Sequence, residues 1–197
     1  MRQVVALLAL MTAAGAGCTA SPTPTHPAPS RHAPSPALQG YVRPCASSVW
    51  GELGPVTPRT DAVAGPIAFI GLNGYSQPAL RQPPAHGGKY TAVKVLAVVK
   101  AGWQVTVTVP GSERGNAALL YNPDAFSPGP TYPLSAGEPV VTFPNCGGTQ
   151  SSWGAGTQFN GELLFRRPMC VHLDITAVRG SARFTRQIAA PLGAPCP

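Results

Sequence analysis

The sequence predicts an all-β fold: an antiparallel β-sandwich, immunoglobulin-like, stapled by disulfides and following a disordered Pro-rich tether. Three observations predict it. First, 24 Pro and 22 Gly accompany only 11% charged residues in 197, too few charges to clothe long surface helices. Second, two stretches alternate with a strict period of two, which buries one sheet face and wets the other. Third, short β-branched runs recur between Gly, Pro and Asn punctuation, in a region holding four cysteines, Cys45, Cys146, Cys170 and Cys196.

Taken in order, residues 1–17 read as a signal peptide. Met1-Arg2 is a short positive start, and residues 4–16 are apolar but for Thr12. That run is too short for a ~30 Å hydrocarbon span and fits the apolar region of an export signal. Gly15-Ala16-Gly17-Cys18 resembles the bacterial lipobox, although Gly15 stands where that motif prefers Leu. In that motif the Cys thiol takes a diacylglycerol and becomes the acylated N-terminus. Parity supports Cys18 as the lipidation site, since it is the odd thiol beside four that can pair. A cut before Gly17 and free secretion is the alternative. Residues 18–40 read as a lipid-anchored, Pro/Ser/Thr-rich linker. SPTPTHPAPSRHAPSP, at 21–36, has no large apolar residue with which to repay ordering. In polyproline II, at ~3.1 Å per residue, the twenty-odd linker residues from Thr19 hold a domain up to roughly 60 Å from its anchor. His26 and His32 sit in this spacer without a constellation around them.

Residues 41–197 read as the β-sandwich domain. Strands are expected at 67–70, 90–99, 103–109, 117–121, 140–143, 162–165, 170–178 and 183–188. Trp103, Val105, Val107 and Val109 alternate with Gln104, Thr106 and Thr108, so Trp103 is assigned to the core. In the later stretch Val171, Leu173, Ile175 and Ala177 form the inner face, and Cys170, His172, Asp174 and Thr176 the outer. Asn160-Gly161 suits a type I′ hairpin turn. Residues 72–88 and 126–135 read as long irregular loops, and Trp50 and Trp153 as aromatics for exposed contacts.

The four domain cysteines allow three connectivities. Their placement about the late strands favours Cys146 with Cys170, leaving Cys45 with Cys196 to tie the domain's first residues to its last. No Cys-x-x-Cys spacing, Gly-x-Ser-x-Gly elbow, Walker loop or His-Glu-x-x-His motif is present, so the sequence assigns no catalytic residue, cofactor or metal. One polar site stands out. His172 and Asp174, with Cys170, share a strand face at about 6.5–7 Å spacing. An exposed surface pair is the plain reading; a hydrolytic His–Asp pair is the alternative. Glu113-Arg114 and Asn122-Pro123-Asp124 bracket one strand and are positioned for a polar cluster.

The formal charge of +7 comes from scattered residues, only Arg166 and Arg167 being adjacent. Nucleic-acid readers cluster their cations, so no nucleic-acid partner is expected. The runs KVLAVVKAGWQVTVTVP, ERGNAALLYNPDAF and TQFNGELLFRRPMCVHLDI resemble exported actinobacterial lipoproteins of no assigned role, over residues 65–196. That resemblance brings no functional residue with it. The expectation is a monomeric, palmitate-bearing cell-envelope lipoprotein on the outer face of the cytoplasmic membrane. It presents a non-enzymatic domain to a cell-wall polymer or another envelope protein. The alternative is an exported hydrolase acting on wall polymer through His172 and Asp174.

Overall fold

The computed structural model describes residues 40–49, 51–76, 89–126, 131–147 and 154–197. The leader, Cys18 and the tether with its two histidines lie outside the described residues, as do Trp50, His86 and Trp153. The described chain forms strands β1 (Tyr41–Val42), β2 (Ala62–Ala64), β3 (Ile67–Ile70), β4 (Lys89–Lys94), β5 (Leu96–Lys100), β6 (Gln104–Thr108) and β7 (Ala117–Leu120). It continues with β8 (Thr131–Pro133), β9 (Val140–Phe143), β10 (Gly156–Phe159), β11 (Glu162–Phe165), β12 (Met169–Arg179) and β13 (Ala182–Leu192). Short 3-10 turns link some of them, and no α-helix occurs among the described residues. None of the helical segments there is long and apolar enough to cross a membrane.

Hydrogen bonding sorts the strands into sheets ordered β1-β9-β6-β12-β13, β10-β5-β3-β2 and β7-β11-β4-β8. All pairings between these strands are antiparallel except β1 on β9. The alternating stretches behave as their period dictates. On β6, Val105 and Val107 are fully buried while Gln104 is exposed. On β12, Val171, Leu173, Ile175 and Ala177 face inward. One apolar cluster draws side chains from all three sheets, among them Phe69, Val99, Val107, Leu119, Phe143, Phe159, Leu163 and Leu173. Each such side chain contributes about 1.5–3 kcal/mol by leaving water. Trp103 is only partly buried; it packs against this cluster and carries the Arg179 guanidinium 4.9 Å above its ring.

The runs Ala117-Ala118-Leu119-Leu120 and Glu162-Leu163-Leu164-Phe165 do not alternate, and the structure shows why. Both strands are buried on two faces, which removes the need for a polar stripe. Leu119 and Leu163 join the main cluster, whereas Ala118, Leu120 and Leu164 join a second one with Tyr90 and Tyr132. Tyr132 belongs to β8, which pairs with β4. The segment expected as an irregular loop at 126–135 therefore contains an edge strand of the same sheet, whose Tyr132 packs with Leu164 of β11 in the second cluster. Part of the other expected loop is also ordered, as the 3-10 turn Leu72–Ser76.

Two further expectations are corrected. Asn160-Gly161 is not a hairpin turn. Strands β10 and β11 do not pair with each other; β10 pairs with β5 and β11 with β4. Both pairings keep one continuous register, and Val95 N–H donates to Gly161 C=O across the junction at 2.9 Å. Residues 89–100 and 156–165 are thus two long bent strands that pass from one sheet to the other. Gly161 is required at the bend because a Cβ there would lie 2.1 Å from the Tyr121 ring. The tight two-residue turn falls instead at Gly180-Ser181, between Arg179 and Ala182, with Gly180 at φ 57°.

The disulfides are Cys45–Cys146 and Cys170–Cys196, not Cys146–Cys170 and Cys45–Cys196. Sheet order explains the difference. Strand β1 runs parallel to β9 with Tyr41 opposite Val141, so Cys45 and Cys146 leave the sheet at the same end. Strand β6 separates β9 from β12. Continuing the registers sets Cys146 level with Gly180, and Cys170 sits ten residues back along β12, roughly 33 Å away at ~3.3 Å per residue. Cys170 lies opposite Pro191 on β13, and the chain beyond β13 brings Cys196 to it.

Candidate functional site: the outer face of the five-stranded sheet

The face of β6, β9, β12 and β13 that points away from the main cluster is mostly polar, with Val140, Val178 and Ala189 among its residues, and cross-strand register fixes its pattern. Thr142, Thr106, Thr176 and Thr185 form one row across four strands. The first two hydroxyls lie 2.9 Å apart. Thr108, Asp174 and Gln187 form the next row, and the Gln187 amide donates to an Asp174 oxygen at 2.8 Å. Threonine suits such a half-wet pleated surface by its branched side chain. Val42 continues the first row onto β1 and is 58% exposed.

His172 stands at one end of this face, where β6 has already finished. Strand β6 pairs with β12 only from Asp174 to Val178, so the His172 N–H has no strand partner on that side. The turn that follows β6 supplies one. Hydrogen bonds from Glu113 N–H to Pro110 C=O, and from Asn116 and Ala117 N–H to Glu113 C=O, shape this turn. They present the Glu113 carboxylate to β12. Its Oε2 accepts the His172 backbone N–H at 2.7 Å, and its Oε1 lies 2.8 Å from His172 Nδ1. Beside it the Arg114 Nε donates to Val109 C=O at 2.9 Å. The carboxylate thus stands in for a backbone carbonyl and fixes the imidazole with Nε2 outward. The His172 side chain is 43% exposed.

The outer-face residues therefore lie on one strand face as their spacing requires, but the chemistry among them differs from a His–Asp pair. Cys170 is consumed in a disulfide. Asp174 is engaged by Gln187, and the carboxylate on His172 comes from Glu113, 59 residues away. The other bracketing element, Asn122-Pro123-Asp124, caps itself: the Asn122 side chain accepts the Asp124 N–H at 3.0 Å. Among the described residues no three His, Cys, Asp or Glu side chains converge as a metal-ligand set.

Sequence reasoning missed the buried polar groups. Arg43 is 2% exposed. Its guanidinium donates to the Tyr121 carbonyl and, at 3.0 Å, to the Ser47 carbonyl, while Nε has no partner. Burial lowers its pKa from the ordinary arginine value, opposed by the nearby Tyr41 and Tyr121. Tyr121 is wholly buried, its hydroxyl donating to Val95 C=O at 3.0 Å, and burial raises its pKa. Asp61 is buried as a structural tie: its two oxygens accept the Thr57 and Gly71 N–H groups, each at 2.7 Å. Glu162 is 8% exposed, with Oε2 unpartnered. Only alternation past β1 signals Arg43, because an inward position follows the outward Val42.

Fold and face together define a disulfide-stapled all-β protein with an open, hydroxyl-rich sheet surface, of a kind made for an oxidising compartment. Compared with known protein families, curated proteins and solved structures, the chain matches none.

Proposed function

We propose that this is a cell-envelope lipoprotein of the exported actinobacterial kind, anchored through Cys18 and presenting a non-enzymatic binding domain. The observation that carries the reading is cysteine bookkeeping. All four domain cysteines are consumed in two disulfides, so Cys18 is the one cysteine of the five outside those bonds. Disulfides persist outside the reducing cytosol, and acylation accounts for the odd one. The sandwich reading rests on the cluster to which all three sheets contribute. The five-stranded sheet forms one layer; the sheets joined by the long bent strands form the other.

The binding surface in this reading is the threonine-bearing outer face. Its hydroxyls, with Asp174 and Gln187, offer donors and acceptors suited to a hydroxyl-rich cell-wall polymer. The test has two arms. Full-length protein and a Cys18→Ser variant, expressed in an actinobacterial host, are compared for lipid labelling and membrane fractionation. The wild type labels and sediments with membranes, and the variant does neither. Equal behaviour of the two overturns the anchor. Separately, purified domain is sedimented with insoluble cell-wall polymer. Replacing Thr106 and Thr176 by Lys reduces retention; unchanged retention overturns the surface assignment.

A second reading has one observation in its favour. Glu113 on Nδ1 leaves Nε2 free, as in an acid–base histidine held by a carboxylate. In that reading the hydrolase dyad is His172 with Glu113. Hydrolysis of wall polymer that His172→Ala abolishes, in a variant with unchanged circular dichroism, establishes it over the first reading.

A further inference from the structure

The segment 40–49 is attached to the domain in an unusual way. It adds β1 to the edge of β9 with only two paired residues, extended by one bond from Arg43 N–H to Thr142 C=O at 2.9 Å. Farther on, Val49 N–H donates to Gln158 C=O at 2.9 Å. Within this segment the only buried residue is Arg43. A buried charge is stable when paired and fully hydrogen-bonded. The Arg43 guanidinium instead has two backbone carbonyls as partners and one unpartnered nitrogen. The segment's apolar contribution to the core is thus the partly buried Tyr41, and it desolvates a cation. Its one covalent tie to the sheet is the bond from Cys45 to Cys146, beyond the end of the parallel pair. Cys45 is exposed, whereas Cys146, Cys170 and Cys196 are each half-buried, so this bond alone has an exposed cysteine.

We propose that the Cys45–Cys146 disulfide is a redox latch whose reduction releases segment 40–49 from the sheet, draws Arg43 into water and bares the β9 edge. The reductant is a dithiol of the thioredoxin-like class. One of its thiolates attacks the sulfur of the exposed Cys45, forming a mixed disulfide and freeing Cys146. Its second thiol then displaces the remaining cysteine. The protein ends with two thiols and the reductant with one disulfide, so two electrons and two protons are exchanged. Release leaves the outward N–H and C=O groups of Val140–Phe143 unpaired. Such an edge accepts an extended chain from a partner by strand addition. The inference does not depend on lipidation or on what the threonine face binds.

The experiment titrates the oxidised full-length protein with dithiothreitol. Reduced cysteines are mapped by alkylation and mass spectrometry, and amide hydrogen exchange is followed by NMR. As Cys45 and Cys146 become reduced, the Arg43 and Val49 amides lose protection by ~10-fold or more, the behaviour of a locally opening unit. The amides of Leu173 and Ile175 on β12 stay protected, falling only by the loss of global stability that urea unfolding of the reduced protein gives. Retained protection at Arg43 and Val49 overturns the latch. So does complete loss of protection across β12, which means that reduction unfolds the whole domain. The Cys45→Ser/Cys146→Ser variant gives the released state without reductant. Adding Arg43→Met to it removes the unpaired charge, and protection at Val49 returns. If Val49 stays equally unprotected in that triple variant, the buried charge is not what drives release and the proposal fails.

Discussion

Replacing Gly161 by Ala tests the idea that two long strands bend around a tyrosine ring. The added Cβ meets Tyr121 Cδ1 and Cε1 at 2.1 Å and Cζ at 2.6 Å. Carbon atoms in contact prefer ~3.5–4.0 Å, so the ring has to retreat by well over 1 Å. It has nowhere to go. Phe143 stands edge-on with its centroid 4.9 Å away, and the Tyr121 hydroxyl is bonded to Val95 C=O. Overpacking costs about 1–3 kcal/mol, and displacing the hydroxyl forfeits about 0.5–1.5 kcal/mol more. The restricted unfolded chain returns about 0.4–1 kcal/mol. A net loss of about 2–3 kcal/mol follows, which lowers Tm by roughly 4–12 °C in a domain of this size. Urea and thermal unfolding of Gly161→Ala measure it. Repeating the substitution in a Tyr121→Leu background isolates the contact, with an expected coupling of at least ~1 kcal/mol. A loss below about 0.5 kcal/mol, or the same loss in both backgrounds, refutes the account of the bend.

Other outcomes follow from the same structure. The Cys45–Cys146 bridge spans 101 residues and Cys170–Cys196 spans 26. Loop entropy therefore predicts losses of about 4.7 and about 3.5 kcal/mol for the respective double Cys→Ser variants, measured by urea unfolding; a larger loss for the shorter loop contradicts the ranking. Burial raises the pKa of Tyr121 above its ordinary 10.0, and those of Tyr41 and Tyr75 also rise. The neutral phenols favour the folded state, so this contribution is complete below pH ~10 and declines as pH climbs beyond it. Circular dichroism from pH 8 to 12 shows that alkaline loss, and Tyr121→Phe makes it shallower while costing about 1 kcal/mol at pH 7. Glu113→Ala strands the His172 N–H at the end of β6. It lowers stability by about 1–2 kcal/mol and raises exchange at His172 more than at Ile175.

How far the sequence carries depends on the range of the interactions concerned. Valine alternation in β6 and β12 was legible because one strand alone displays it. The strand β10 was not, since Gly156-Thr157-Gln158-Phe159 is buried as a paired neighbour of β5 rather than by its own pattern. Asn160-Gly161 carried a strong local turn signal, but the Gly is needed for close approach by Tyr121, a residue 40 positions earlier. Cysteine pairing failed for a similar reason: it depends on β6 lying between β9 and β12, and sheet order is not written in any one stretch. At the site, the face shared by His172 and Asp174 followed from period two. The carboxylate that holds His172 did not, because Glu113 belongs to a turn whose reach emerges only once β6 stops short of it.

The parallel pairing of β1 with β9 also orders the assembly of the molecule in time. A chain delivered N-terminus first presents Tyr41 and Val42 about a hundred residues ahead of Val141 and Thr142, their strand partners. Contacts of such long sequence separation form late and slow folding. The hairpin of β12 and β13, with its two-residue turn, closes locally and needs no such wait. The first residues of the domain are therefore among the last to settle, and an oxidase that joined Cys45 too early to a wrong partner would trap the chain before its edge strand had a place to go.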